Sequence, residues 1–261
     1  MSEADSAPYY RDISGESALF RKAHAHRLPL MIKGPTGAGK SRFVEAMAHA
    51  LERPLVTVAC HEDTSATDLL GRFLVRGGDT VWQDGPLTRG VRQGAIVYLD
   101  EIAEAREDVI AVIHPLTDHR RELYIDKINE RLAAPREFML VVSFNPGYQR
   151  RLKQLKPSLR QRFIALKFDY PAPAIEAEIV AREAKVEPAT ARRLVELAAR
   201  IRKLEELGLT ETVSTRLLVY AATVIAAGVP PRQACDLAIG QPLTDDADVI
   251  QTIRDLAALV F

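Results

Sequence analysis

The stretch Gly34-Pro35-Thr36-Gly37-Ala38-Gly39-Lys40-Ser41 constrains the fold more than any other part of the chain, because it fits G-x-x-x-x-G-K-[ST] with the right flanks on both sides. Leu30-Met31-Ile32 reads as a short buried strand leading in. Lys40 to Leu51 reads as a helix leading out, with Phe43, Val44, Met47, Ala50 and Leu51 at helical spacing. Glycines at such a turn let successive backbone N–H groups curl around phosphate oxygens. Lys40 then carries a mobile positive charge to the β- and γ-phosphates, and the Ser41 hydroxyl is a ligand for Mg²⁺. With strand and helix in place, Gly34 to Ser41 is the expected binding loop of a nucleotide.

Around this loop the first 170 residues alternate strand and helix. Leu55 to Ala59, Ala95 to Leu99, Phe138 to Ser143 and Ile164 to Phe168 read as four more strands, and Ile13 to Ala25 as a leading helix behind a loosely ordered start. The pattern predicts an α/β fold with a five-stranded parallel sheet covered on both faces. Two segments break the alternation. Phe73 to Pro86 holds Gly-Gly-Asp between β-prone runs and reads as a hairpin, and Arg121 to Pro135 reads as another. Both are insertions into a minimal nucleotide fold. After Tyr170-Pro171-Ala172-Pro173 the composition turns to Ala, Leu, Glu and Arg, punctuated at Gly208, Gly228-Val229-Pro230-Pro231 and Gly240-Gln241-Pro242. The expected division is therefore an α/β nucleotide-binding core over 1–170 and a small all-helical domain over 171–261.

The chemistry concentrates at strand ends. Ile96 to Glu101 is a buried strand delivering two carboxylates at its C-terminal end, where open α/β sheets place their ligands. Asp100 would hold Mg²⁺ through hard oxygen ligation, and Glu101 would polarise the water that attacks the γ-phosphate. Acids also suit a helix N-terminus, but beside a phosphate loop the catalytic reading is preferred. Asn145 follows the fourth strand, where it would orient that water or read the γ-phosphate, against an ordinary Asn-Pro turn. Arg160 and Arg162 precede the fifth strand, placed for one of them to reach a neighbouring subunit's γ-phosphate. Arg216 starts a helix of the C-terminal domain, either to fold over the nucleotide or to pair on the surface.

Bulk properties exclude several classes. Lysine plus arginine equals aspartate plus glutamate at 35 each, and the pI is near 7.0, so no basic field marks a nucleic-acid binder. The run Arg150 to Lys156 is the best argument for such a partner, and it reads instead as part of a subunit interface. Cys60 and Cys235 fit no metal-ligand spacing and are expected to be reduced and packed. The polar first ten residues lack a signal-peptide core, and no apolar run approaches the roughly 18 residues of a membrane span. A soluble cytoplasmic protein without a membrane association is the expectation.

In this order, phosphate loop, Asp-Glu strand, Asn strand, Arg-Gln-Arg-Phe and helical-domain arginine resemble the AAA+ ATPases. The two hairpins fit the clade with helix-2 and pre-sensor insertions, which includes MoxR-type ATPases. Asp68-Leu69-Leu70-Gly71-Arg72, Trp82-Gln83-Asp84-Gly85-Pro86-Leu87, Tyr98-Leu99-Asp100-Glu101-Ile102 and Leu159-Arg160-Gln161-Arg162-Phe163 are similar to the CbbQ/NirQ/NorQ/GvpN group. The resemblance implies ATP and Mg²⁺ as ligands, Walker roles for Lys40, Ser41, Asp100 and Glu101, sensor roles for Asn145 and Arg216, and a trans-acting finger at Arg162 or Arg160. It also implies a homo-hexameric ring and a von Willebrand factor A domain adaptor of the CbbO type on a separate polypeptide. The wording lies closest to the Rubisco-activating branch, with Rubisco as client. Maturation of nitric oxide reductase and gas-vesicle assembly are the roles of sister branches. A nucleic-acid motor and a small-molecule kinase are the competing classes. The apolar Phe73, Leu74, Val81 and Trp82 make the first hairpin either a pore- or partner-facing element or one packed on its own sheet, and the mixed charges around Tyr124 make the second a solvated interaction surface.

Overall fold

In a computed structural model, residues 8–146, 155–204 and 212–261 are described. The sheet consists of β1 (Leu30–Lys33), β2 (Leu55–Ala59), β5 (Ile96–Asp100), β8 (Met139–Phe144) and β9 (Ile164–Lys167), all parallel, in the order β2-β5-β8-β1-β9. β8 is buried along its whole length and β5 up to Leu99, as strands covered on both faces must be. The register pairs Ala59 with Asp100, Leu99 with Val142, and Phe144 with Lys33. The C-terminal ends of the three inner strands and of β2 thus lie along one edge.

Two compact units divide the chain, one comprising Met1–Gly34 with Lys40–Lys167 and the other Phe168–Phe261 with Pro35–Gly39. Helices α1 (Glu16–Ala25), α2 (Lys40–Ala50), α3 (Ala66–Leu70), α4 (Pro86–Gln93), α5 (Glu107–Ile113) and α6 (Pro157–Arg160) belong to the first. The leading helix begins at Glu16 and not at Ile13 because residues 12–15 are spent on its cap. The Asp12 carboxylate accepts from the backbone of Gly15 and Ser17, Gly15 turns through φ 81°, and buried Glu16 accepts from Tyr10 and the backbone of Ile13 and Ser14.

Both expected hairpins form. β3 (Gly71–Arg76) and β4 (Asp79–Asp84) pair antiparallel, and Gly77 and Gly78 close a two-residue turn with φ of 62° and 94°, as a primed turn requires. Phe73 and Trp82 stack edge to face across the pair at 5.2 Å. Phe73, Val75 and Val81 remain exposed, while Trp82 packs partly on the core of its unit. β6 (Glu122–Ile125) and β7 (Glu130–Ala133) form the second hairpin, which buries Leu123 and Ile125 and exposes Tyr124. Arg92 on α4 joins the two hairpins: its Nε donates to Asp84 at 2.7 Å and its terminal nitrogens to Glu130 at 2.8 and 2.5 Å.

Among the described residues beyond Phe168 the regular elements of the second unit are helical: α7 (Pro173–Ala184), α8 (Pro188–Lys203), α9 (Thr215–Ala226), α10 (Pro231–Cys235), a π-turn at Asp236–Gly240, α11 (Gln241–Leu243) and α12 (Ala247–Val260). Proline at the first turn starts α7, α8 and α10, where its missing N–H costs nothing. Leu194, Leu197, Ala198 and Ile201, the predicted stripe, are buried in its core. Residues 150–154 of the basic run and Gly208 lie outside the described residues.

Candidate active site

The loop after β1 has the backbone its sequence demands. Gly37 and Gly39 sit at φ 71° and 85°, a region that strains any residue with a Cβ. α2 begins directly at Lys40 with no acid in its first turn, so the partial positive charge of its N-terminus is undiminished. Buried Lys40 donates from Nζ to the Gly34 carbonyl at 2.8 Å. Within the second unit, to which 35–39 belong, the Tyr170 hydroxyl donates to the Thr36 carbonyl at 3.1 Å and a Cβ on Gly37 would overlap the Ser214 side chain.

At the end of β5 the acid pair divides. Asp100 turns its Oδ2 toward Ser41, whose hydroxyl donates to it at 3.2 Å. Its Oδ1 accepts from the Tyr98 hydroxyl at 2.6 Å and from the Ser143 hydroxyl. Glu101 leaves the strand in the left-handed region, φ 55° and ψ 48°, which exposes its side chain and aims its N–H at Ser143 Oγ, 3.0 Å away. Burial and the Asp100 charge hold the Tyr98 phenol well above its ordinary value, so it stays a donor. The Cys60 thiol, after β2, is likewise pushed up to about 12 by burial and by the charges of Asp100 and Glu101, and is therefore no nucleophile. Asn145 follows β8 directly, half-buried beyond Phe144, which pairs with Lys33 beside the loop.

Lys40, Ser41 and Asp100 are thus brought to one edge of the sheet, with Glu101 and Asn145 at the strand ends beside them. The two finger candidates differ in setting. Arg160 is exposed, whereas Arg162 is one-third exposed and donates to Asp118 at 3.3 Å, just before the second hairpin. Asp118 also binds Arg120, which holds its carboxyl well below the usual range. Next to this pair, burial and the Arg162 charge hold His114 below its ordinary value, and its Nε2 is buried without a partner. Arg216 is exposed at the first turn of α9, behind the Ser214 cap. Tyr98 and Ser143 escaped the sequence reading. The signal for Tyr98 is its place two residues before Asp100, on the same face of the strand. For Ser143 it is a hydroxyl inside an otherwise apolar central strand, which must find a partner.

Hard oxygens of Ser41 and Asp100 facing each other beside a phosphate loop fit Mg²⁺, an ion that takes few protein ligands and completes its shell with water and phosphate. Parallel sheet, phosphate loop and acid pair define an ATPase of the AAA+ class, and residues 29–163 match the family described as AAA domain (dynein-related subfamily). Residues 176–260 match CbbQ/NirQ/NorQ C-terminal, and the chain belongs to the CbbQ/NirQ/NorQ family. It is 56% identical to protein NorQ of Paracoccus denitrificans (strain Pd 1222), over 99% of this chain and 96% of that relative. Protein CbbQ of Hydrogenophilus thermoluteolus is 55% identical over 98% of this chain and 96% of its own length. The denitrification regulatory protein NirQ of Stutzerimonas stutzeri is 53% identical over 98% and 93%. Near-equal identities place the chain in the family without singling out a branch. Two point variants of RuvB from Thermotoga maritima share the fold, with TM-scores of 0.56 and 0.54 at 16% identity, covering 94% of this chain and 68% and 71% of theirs.

Proposed function

We propose that this ATPase is the motor subunit of a ring that remodels a client protein complex, with Glu101 as the catalytic base. The observation that carries the site reading is the Ser41–Asp100 contact at 3.2 Å beside buried Lys40, at the strand ends where α/β sheets bind ligands. The backbone of Gly34-Pro35-Thr36-Gly37-Ala38-Gly39 and the Lys40 ammonium would hold the β- and γ-phosphates. Ser41 and Asp100 would hold Mg²⁺, which when bound neutralises phosphate charge. Glu101 takes a proton from water as the water oxygen bonds to the γ-phosphorus. The bond from that phosphorus to the β–γ bridging oxygen breaks, and ADP leaves with the electron pair. Asn145 orients the water. Arg162 of a neighbouring copy, or Arg160, steadies the charge developing on the phosphoryl oxygens, and Arg216 serves the nucleotide from the helical domain.

The family supports a client-remodelling role in the cytoplasm as a homo-hexamer with a von Willebrand factor A domain adaptor, and Rubisco is the client we favour from the wording of the motifs. A NorQ/NirQ-type role in maturing nitric oxide reductase has equal support from the identities of 56% and 53%. A nucleic-acid client has no basic field to favour it at zero net charge. ATP turnover should be measured with each cognate adaptor, alongside recovery of carboxylation by sugar-phosphate-inhibited Rubisco. Turnover without recovery moves the client to nitric oxide reductase or another complex, and absence of turnover under all conditions overturns the motor reading.

A further inference from the structure

We infer that Ser143, assisted by Tyr98, is a positioning residue that locks the two acids of the site to each other and to the strand carrying Asn145. The inference rests on the catalytic reading of Asp100 and Glu101 given above. Ser143 is completely buried, next to the last residue of β8, and its single hydroxyl serves both acids. It donates to Asp100 Oδ1 and accepts from the Glu101 N–H at 3.0 Å. A hydroxyl has one proton to give and lone pairs to receive, so the two bonds are compatible and directional.

Each bond has a distinct consequence. Oδ1 of Asp100 is occupied from two sides, by Ser143 and by Tyr98 at 2.6 Å. That fixes the carboxylate plane and leaves Oδ2 facing Ser41, where the ion belongs. Tyr98 is 1% exposed, so its ring cannot swing away, and its hydroxyl lies 3.4 Å from Ser41 Oγ as well. Glu101 is a different case. A non-glycine residue at φ 55° persists only where its surroundings hold it. The bond to Ser143 is one such hold, made by the residue's own N–H, and it sets the direction in which the Glu101 side chain departs. Tyr98 makes no contact of this kind with Glu101. Its hydroxyl serves Asp100 and Ser41.

The asymmetry gives a test that separates positioning from mere folding. The full chain would be compared with Ser143→Ala, Ser143→Thr, Tyr98→Phe and Glu101→Gln. The readouts are kcat at saturating Mg²⁺, affinity for a fluorescent non-hydrolysable ATP analogue in EDTA, and the Mg²⁺ concentration that half-restores tight binding of that analogue. Ser143→Ala and Tyr98→Phe should both raise the Mg²⁺ requirement, by about 10-fold or more, with affinity in EDTA unchanged. Only Ser143→Ala should also lose kcat at saturating Mg²⁺ by about 10–100-fold, a loss Tyr98→Phe does not approach. Ser143→Thr, which keeps the hydroxyl, should recover kcat; if the extra methyl prevents folding, the contrast between Ser143→Ala and Tyr98→Phe still decides. Wild-type kcat and Mg²⁺ requirement in Ser143→Ala, with Glu101→Gln inactive, would overturn the inference alone. An equal kcat loss in Ser143→Ala and Tyr98→Phe would also overturn it. Retained turnover in Glu101→Gln would instead bring down the catalytic reading beneath it.

Discussion

Arg202→Met should destabilise the helical unit by about 3 kcal/mol, the low end of the roughly 3–5 kcal/mol expected for stripping a buried charge of its partner. Arg202 on α8 binds Glu176 on α7 through two bonds of 2.8 Å, and the Glu176 side chain is 1% exposed against 17% for Arg202. Removing the cation leaves that carboxylate with the Thr215 hydroxyl, 2.7 Å away, which offsets about 1 kcal/mol. The same substitution frees the Val213 carbonyl, bound by Arg202 Nε at 2.8 Å, and the Tyr170 ring, over which the guanidinium lies at 4.2 Å. Glu176→Gln should cost less, about 1–2 kcal/mol, because its amide oxygen still accepts from Thr215 and the partly exposed Arg202 keeps its carbonyl and ring. Urea unfolding of the full chain followed by far-ultraviolet circular dichroism reads the difference. With a slope of about 2 kcal/mol per molar, the Arg202→Met midpoint falls by about 1.5 M. Glu176→Leu combined with Arg202→Met should regain at least half of the loss, since an apolar pair of similar volume replaces the ions. An unfolding free energy for Arg202→Met within about 0.5 kcal/mol of the parent would refute the reasoning, because it would mean the carboxylate is not buried as a charge. The network ends on Thr215, one residue before Arg216, so the variant should also lower ATP turnover at urea concentrations below its unfolding transition.

Glu101→Gln should bind ATP and Mg²⁺ with parent affinity yet lose turnover by at least about 100-fold, checked by phosphate release and nucleotide titration side by side. Arg162→Ala should bind nucleotide normally and fail to hydrolyse it in the assembled ring; a normal rate there with loss in Arg160→Ala would reassign the finger. Mixing each with Glu101→Gln subunits checks whether the arginine acts across an interface. Burial pushes both thiols, Cys60 and Cys235, up to about 12 from an ordinary 9.0. A raised pKa favours the protonated native state, so this contribution is intact below pH 9 and is lost between 9 and 12. Denaturant titrations should show about 1.4 kcal/mol lost per pH unit per thiol in that window, a slope that Cys60→Ala with Cys235→Ala removes. Equal slopes in parent and double variant would show that the thiols are ionised in the native state.

What the sequence made legible follows from how far each signal reaches. β1, β2 and β5 announce themselves as short apolar runs, and the turn Gly77-Gly78 announces its hairpin, because burial and positive φ are properties of single residues in a row. The loop Gly34 to Ser41 is equally local, and so are Asp100 and Glu101 at the end of their strand. Boundaries slipped where tertiary partners set them. The fourth strand runs from Met139 to Phe144, not Phe138 to Ser143, because Phe138 N–H turns back to Pro135 while Phe144 is claimed by Lys33. The fifth stops at Lys167, and Phe168 opens the second unit. Glu16 and Glu176 are acids, a residue type that favours solvent, yet each is buried around a set of donors that periodicity cannot display. Ser143 is the sharpest instance. It is separated from Glu101 by 42 residues, and the pairing of β5 with β8 alone brings them together. A hydroxyl in an apolar strand declares that it needs a partner. The sheet order supplies which partner, and the left-handed turn at Glu101 aims the N–H that meets it.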